Sequence, residues 1–261
     1  MDILETIASA SRTRFAAKAQ KVPLEKVREL ALSVGGEPFR FERSLSGGDI
    51  SFICECKKAS PSKGLIAPDF PYLDIAREYE AAGAAAISVL TEPQWFMGSD
   101  EYLRQIAEEV SIPCLRKDFS VDEYMIYEAK LLGASAVLLI CSLLGEETLK
   151  RYREAADSVG LSALVEAHDE GEIAMAVRAG ARIIGVNNRN LRDFTVDVHN
   201  SERLRRLVPK DVIFVAESGI KTPEDIQVLR DGGVDAVLIG ESLMRAADKR
   251  AMLDYLRGNS R

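Results

Sequence analysis

Apolar residues in this chain fall into two alternating patterns. From residue 50 onward, short apolar runs recur near 50–56, 85–90, 112–116, 135–140, 161–165, 182–186, 212–216 and 235–239. Runs of this length with apolar residues at consecutive positions predict strands buried on both faces. Between them, at 71–82, 99–110, 121–132, 145–158, 169–179, 200–207 and 222–231, apolar positions return at helical spacing among charged residues. The way back to the next strand is marked by Ala82-Gly83-Ala84, Leu132-Gly133-Ala134, Ala179-Gly180-Ala181 and Gly232-Gly233-Val234. A glycine there suits a left-handed helix C-terminus. Helix starts are signalled too: Ser120 with Glu123 reads as a capping box, and Thr222-Pro223-Glu224 as an N-cap with proline in the first turn.

Ahead of the repeats the pattern is helical. Ile3, Leu4, Ile7, Ala8, Phe15 and Ala16 share a helical spacing over 3–19, and Pro23 opens a second stretch, Leu24 to Leu32, that Gly35-Gly36 ends. Phe39 to Gly48 reads as a loop. Residues 1–47 are therefore expected to form an N-terminal helical extension packed on a catalytic domain spanning 48–261. Eight strands alternating with helices leave an open doubly wound sheet or a closed barrel. Eight is the closing number, the spacing is near-uniform, and no G-x-G-x-x-G follows the first strand. The expected α/β fold is thus a single (β/α)8 TIM barrel, with a last helix near 247–257 closing the ring.

Composition adds exclusions. Hydrophobic residues make up 47% of the 261, enough for a sizeable core, and no apolar run approaches the ~18 residues that span a membrane. Met1-Asp-Ile-Leu-Glu has no basic region ahead of an apolar one, so no signal peptide and no membrane partner are expected. The four cysteines, Cys54, Cys56, Cys114 and Cys141, lie in apolar strand-like runs, as reduced buried thiols of a cytoplasmic protein would. Cys54 and Cys56 form a C-x-C pair, but no second Cys/His cluster completes a metal site. The net charge is −7, and the basic residues are scattered, which argues against a nucleic-acid footprint. An anionic ligand would have to be small and held by a few local donors.

In a barrel of this kind the chemistry sits at the C-terminal strand ends. Those ends carry Glu55 and Lys57, then Arg116-Lys117-Asp118-Phe119, Glu166-Ala-His168, Asn187-Asn-Arg189, Glu217-Ser218-Gly219 and Gly240-Glu241. Strand alternation puts Ser51, Ile53, Glu55 and Lys57 on one face, Lys117 with Leu115, Glu166 with Leu164, and Glu217 with Val215. Each polar group thus continues a face that fills the barrel. Two readings stand side by side: ion pairs at strand ends, or one shared mouth. Ser218-Gly219 and Gly240, with a short helix after them, are either tight turns or a phosphate cradle of backbone N–H groups. His168, ahead of Asp169, reads as a helix-start residue and His199 as solvated; two histidines give little material for a triad or a His-based metal site. Trp95 and Phe96 with Phe119 are an apolar wall over the site or ordinary loop packing. Crowded lysines are expected to have lowered pKa values, with the nearby glutamates opposing that shift.

The segment Glu55-x-Lys57-x-x-Ser60-Pro61-Ser62-Lys63-Gly64 resembles the signature of indole-3-glycerol phosphate synthases. So do Arg116-Lys117-Asp118-Phe119, Leu164-Val-Glu166-Ala-His168, Gly185-Val-Asn187-Asn-Arg189-Asn-Leu191, Ala216-Glu217-Ser218-Gly219-Ile220 and Leu238-Ile-Gly240, in the family's order. The resemblance implies ring closure of 1-(2-carboxyphenylamino)-1-deoxyribulose 5-phosphate to indole-3-glycerol phosphate, CO2 and water, in tryptophan biosynthesis, without metal or cofactor. It implies Lys117 as general acid and Glu166 as second acid/base. Lys57 matches a substrate-contacting lysine, with the acid role open between it and Lys117. Glu55 would charge-balance the lysines, and Asn187 and Glu217 would orient the substrate. Ser60 and Arg189 match positions that meet the anthranilate carboxylate, and Phe119 and Leu191 belong to the same substrate-binding segments. Ser218, Gly219 and Gly240 match the phosphate cradle; at 241, where relatives carry a small hydroxyl residue, this chain has Glu241. Partners are then the phosphorylated substrate and, as candidates, other tryptophan-pathway enzymes. Two other readings are a phosphoribosylanthranilate isomerase, which would want a cysteine or aspartate acid/base pair, and a catalytically silent phosphosugar-binding barrel.

Overall fold

Eight parallel strands close on themselves in the computed structural model, which describes residues 3–189, 195–197 and 199–259. They are β1 (Ser51–Cys56), β2 (Ala86–Leu90), β3 (Cys114–Lys117), β4 (Ala136–Ile140), β5 (Ser162–Ala167), β6 (Ile183–Asn187), β7 (Ile213–Glu217) and β8 (Ala236–Ile239). Each pairs with its neighbours in sequence, and β8 returns to β1 with Ser51 opposite Ala236 and Cys54 opposite Ile239. The expected barrel is the observed one.

Two buried sets explain why consecutive apolar residues were needed. Ile53, Leu115, Leu164, Ile183, Val215 and Leu238 fill the barrel interior. Phe52, Cys54, Val137, Val165, Ile184 and Val237 face the helices outside. Those helices are α4 (Tyr72–Ala81), α5 (Asp100–Glu109), α6 (Tyr124–Leu131), α7 (Glu146–Ser158), α8 (Glu170–Arg178), α9 (His199–Arg205), α10 (Pro223–Asp231), the short α11 (Glu241–Arg245) and α12 (Lys249–Leu256). Gly83, Gly133, Gly180 and Gly233 have φ of 79°, 82°, 77° and 75°, the left-handed exits that the repeated junctions predict. Thr222 and Asp225 cap α10 reciprocally, with Pro223 in the first turn.

The other predicted cap is corrected. The residue ahead of α6 is Glu123, without a side-chain cap, and the Ser120 hydroxyl is buried with no hydrogen-bond partner. Asp122 instead accepts from the Tyr124 N–H at 2.9 Å. The Asp122 side chain, two residues ahead of Tyr124, reaches the first-turn N–H that the buried Ser120 hydroxyl does not.

Three helices precede the barrel: α1 (Ile3–Lys21), α2 (Leu24–Ser33) and α3 (Arg40–Ser44). The last corrects the loop expected over 39–48. Its Phe41, with Leu45 just after it, points into the interior set and closes the N-terminal end of the barrel. The Glu42 N–H donates to Ser162 Oγ at 3.4 Å, at the first residue of β5. Meanwhile α1 is tied to the opposite end by ion pairs, Arg14 to Asp118 at 2.9 Å and Lys18 to Asp100 and Glu128 at 2.7 and 2.6 Å. Phe15, fully buried, packs beneath Tyr124 with ring centres 5.9 Å apart. Among the described residues no helix is long and apolar enough to cross a membrane.

Phe41 has no exposed surface, so Phe41→Ala leaves a void at the barrel floor. It should lower the unfolding free energy by about 3–5 kcal/mol, read by urea titration; a loss below about 1 kcal/mol would mean that α3 is not part of the core.

Candidate active site

Alternation and register decide where the polar strand ends meet. Glu217 lies directly beside Asn187 in the β6–β7 pair, and Lys117 beside Leu90 in the β2–β3 pair. All extend inward-facing rows, so they converge above the apolar plug of the interior. They line a cavity of about 530 Å³ together with Glu55, Lys57, Ser60, Glu166 and Arg189. Phe119, Ser218, Gly219, Gly240 and Glu241 border it as well. Leu191 lies outside the described residues.

Two inward glycines make the crowding possible. A Cβ on Gly185 would meet Glu217 Oε1 at 2.3 Å, and one on Gly240 would meet Glu55 Oε1 at 2.4 Å and Lys57 Nζ at 2.8 Å. Any side chain at either position would displace an ionisable group from the mouth.

The ionic arrangement is asymmetric. Lys57 pairs with Glu55 at 2.5 Å. Lys117 Nζ sits 3.4 Å from both Glu166 Oε2 and Glu217 Oε2. Asn187 Nδ2 donates to Glu166 Oε1 at 3.4 Å. Burial works against the Lys117 charge, but the carboxylates of Glu217, Glu166 and Glu55 outweigh it and hold the ammonium above the usual lysine range. This reverses the expectation of a lowered lysine, because two buried carboxylates stand 3.4 Å from the ammonium. Burial also opposes the Glu166 charge, yet Lys117, His168 and Asn187 together keep it below the ordinary glutamate value. Glu217 goes the other way. Burial, with Glu166 and Glu55 adding to it and Lys117 opposing, lifts it from 4.5 to about 7. One lysine shared by two buried carboxylates cannot satisfy both, and the pair divides into a base and an acid, the division that marks acid/base sites.

The anion end has its own geometry. Ser218 and Gly219 are both left-handed, at φ 66° and 84°. A serine there is strained, and Asn188 holds it by donating to the Ser218 carbonyl at 3.2 Å while its own Oδ1 accepts from Ser201. Glu241, a carboxylate beside an anion cradle, is offset by Arg245 at 3.2 Å and by Lys63 at 3.7 Å. Lys63 belongs to the loop after β1, where Ala59–Ser60 and Gly64–Leu65 pair as a small antiparallel hairpin.

Several contributors were not singled out by sequence reasoning. Ile3, Leu4 and Ile7 of α1 form an apolar side of the cavity. The apolar wall considered for Trp95, Phe96 and Phe119 is formed by two of the three: Phe96 lines the cavity and packs on Phe119 with ring centres 5.9 Å apart, while Trp95 does not line it. Buried Glu92 aims that loop by accepting from the N–H groups of Gln94, Trp95 and Phe96 at 2.9, 2.7 and 3.0 Å. His168, expected only to start a helix, has its Nε2 3.4 Å from Glu166 Oε1. Asp169 is the N-cap of α8, so that role belongs to its neighbour. His199 is exposed, as expected.

Comparison with known proteins is consistent with this geometry. Residues 4–256 match the family model described as indole-3-glycerol phosphate synthase. An indole-3-glycerol phosphate synthase of Ruminiclostridium cellulolyticum is 57% identical over 259 residues, covering 99% of this chain and all of that protein. One from Endomicrobium trichonymphae is 56% identical over 256 residues, covering 98% and 99%. Among solved structures, the tryptophan synthase a2b2 complex of Pyrococcus furiosus has a chain that superposes with a TM-score of 0.60 at 14% identity, over 80% of this chain and 98% of that one. That likeness speaks for the fold.

The raised Glu217 gives a stability prediction. A carboxyl at about 7 folded and 4.5 unfolded binds more protons in the folded state, so its contribution is fully present below 4.5 and lost as pH rises through 7. Glu217→Gln removes that loss. The stability difference, variant minus wild type, should shift in the variant's favour between those pH values in urea unfolding; a pH-independent difference would contradict the assignment.

Proposed function

This chain belongs to the indole-3-glycerol phosphate synthase family, and we propose how its own residues carry out that reaction. The enzyme converts 1-(2-carboxyphenylamino)-1-deoxyribulose 5-phosphate into indole-3-glycerol phosphate in tryptophan biosynthesis. We assign it to the carbon–carbon carboxy-lyases, because the step that makes the indole ring irreversible is departure of CO2.

Lys117 is the general acid. The observation that carries this is its ammonium, buried at the cavity mouth and kept charged by Glu166 and Glu217. It protonates the ribulose ketone as the ring carbon bearing the carboxylate attacks, so a C–C bond forms while the C=O π pair takes the proton. Loss of CO2 returns its bonding pair to the ring. Glu166, held ionised, then takes a proton from the C1 methylene and gives it to the hydroxyl formed from the ketone, whose C–O bond breaks to release water while the electron pair left at C1 forms the ring C=C bond. Only protons, CO2 and water are exchanged, so the balance calls for no redox cofactor.

The remaining roles follow from position. Lys57, neutralised by Glu55, contacts the substrate; Glu55 keeps that second cation in place. Asn187 and Glu217 orient the substrate hydroxyls and the intermediate. Arg189 and Ser60 receive the anthranilate carboxylate, for which a planar guanidinium is suited. Phe119 and Phe96 hold the aromatic ring, with Leu191 assigned to the same face from its motif alone. Ser218, Gly219, Gly240 and the Glu241 N–H take the phosphate, with Lys63 and Arg245 cancelling the Glu241 charge. Residues 1–47 and 48–261 act as one unit, supported by the α1 side chains on the cavity. A cytoplasmic setting beside other tryptophan-pathway enzymes, without nucleic acid, is supported by four buried free thiols and a net charge of −7.

Purified protein with the carboxyphenylamino-ribulose phosphate and a chelator should develop indole fluorescence; no signal from folded protein would sink this reading. Lys117→Ala and Glu166→Gln should each lower kcat by ~10²–10⁴-fold with KM little changed. Near-normal kcat in either would reassign the acid and the base.

A further inference from the structure

The reaction has a proton deficit. The ketone oxygen leaves as water with two protons, and the C1 methylene supplies only one of them. The carboxylate leaves as CO2 and supplies none. Each turnover therefore consumes one proton from solvent, and it must be returned to Lys117 before the next one.

A chain of groups reaches Glu166 from behind. Glu166 turns Oε2 to Lys117 and Oε1 to Asn187 and His168. His168 Nε2 is buried, aimed at that Oε1 at 3.4 Å, and has no hydrogen-bond partner. The other ring nitrogen, Nδ1, is 3.0 Å from Glu172 Oε2. That same oxygen accepts the His168 N–H at 2.7 Å. Glu172 lies in the first turn of α8, and its side chain is 17% exposed against 2% for Glu166. Neither His168 nor Glu172 borders the cavity.

We infer that Glu172 and His168 form a proton relay that enters from the α8 side and resupplies Glu166, and through it Lys117, once per turnover. The inference rests on the function proposed above. In each cycle Glu172 passes a solvent proton to His168 Nδ1, and the Nε2 proton passes to Glu166 Oε1. The Glu166 carboxyl then turns to give that proton to the amine of Lys117, which stands 3.4 Å from its Oε2. No other bond changes, and the ring, left protonated on Nδ1 alone, turns about its Cβ–Cγ bond to bring the bare Nε2 to Glu172 for reprotonation.

The surroundings favour a charged imidazole. Glu166 and Glu172 flank its two nitrogens, Glu217 on β7 is a further carboxylate, and Asp169 caps α8 next to it. The Cys141 thiol, after β4, is occupied with the Glu172 carbonyl at 3.7 Å, and burial pushes it up, so it stays neutral. The nearby cation, Lys117, lies on the far side of Glu166. Burial opposes the imidazolium, but Glu172 and Glu166 outweigh it and hold His168 above 6.5. The relay therefore stays charged to a higher pH than a free imidazole would and empties as pH rises past that raised value.

The test combines pH–rate profiles with imidazole NMR. His168→Gln should lower kcat by at least ~10-fold with KM unchanged and should abolish the alkaline limb of the kcat profile. Glu172→Gln, near the surface, should move that limb to lower pH. A folded His168→Gln enzyme with the wild-type kcat and limb overturns the relay, as does a lowered kcat with the limb unmoved. If His168→Gln does not fold, Glu172→Gln decides in the same way. The chain has two histidines, so the exposed His199 serves as internal reference in NMR. Glu166→Gln and Glu172→Gln should each lower the His168 midpoint, and an unmoved midpoint overturns the relay. That titration needs no turnover, so wild-type protein that made no indole product would defeat the proposed function and leave the relay to this result.

Discussion

A buried ammonium has to be surrounded by carboxylates, and most of this barrel's mouth follows from satisfying Lys117. Moving a lysine charge out of water costs several kcal/mol unless partners replace its hydration. Here Glu166 and Glu217 each approach it at 3.4 Å, and Glu55 adds its field from across the opening. Three carboxylates around one lysine overshoot, and the excess appears as the raised Glu217 and as the second cation, Lys57, on Glu55. Space for the ring exists because Gly185 and Gly240 carry no side chain where Glu217, Glu55 and Lys57 need to be. The chemistry uses that compromise: a charged acid, an ionised base and a half-protonated carboxyl stand ready before substrate arrives.

The neighbour of Lys117 solves the same problem on the opposite face. Arg116 is fully buried among the outer helices, its guanidinium 2.7 Å from Asp100, 3.0 Å from Glu128 and 3.0 Å from the Met125 carbonyl. Lys18 of α1 bonds the same two carboxylates, and Arg14 bonds Asp118 next to them. One dipeptide thus points a cation into the cavity and another into the anchor that holds α1, and α1 brings Ile3, Leu4 and Ile7 to the cavity wall. The mouth and the helix covering it are built from adjacent residues of one strand.

Period-two alternation makes the barrel and the inward aim of Glu55, Lys117, Glu166 and Glu217 readable in the sequence, because a strand end inherits the direction of the residues before it. Other features were harder to read for physical reasons. A five-residue helix such as α3 spans too few turns to show a period, and its only trace is the Phe41/Leu45 spacing of four. Phe96 sits in an irregular loop whose direction is set by Glu92 gathering backbone N–H groups, which no spacing encodes. His168 did carry a signal, since it lies two residues beyond Glu166 and so continues the same face. Its proximity to Asp169 and a helix start masked that. The Lys117 direction could not be read either, because it depends on which oppositely charged groups come within a few ångströms.

For the reaction to proceed, Lys117 has to leave its two carboxylates for the substrate's oxygen. The most direct measurement is a crystal structure with a substrate analogue whose ketone is reduced to an alcohol. That alcohol should lie within hydrogen-bond distance of Lys117 Nζ, with the carboxylate at Arg189 and the phosphate on the Ser218, Gly219 and Gly240 N–H groups. An analogue bound with its hydroxyl away from Lys117, and the ammonium still midway between Glu166 and Glu217, would contradict it.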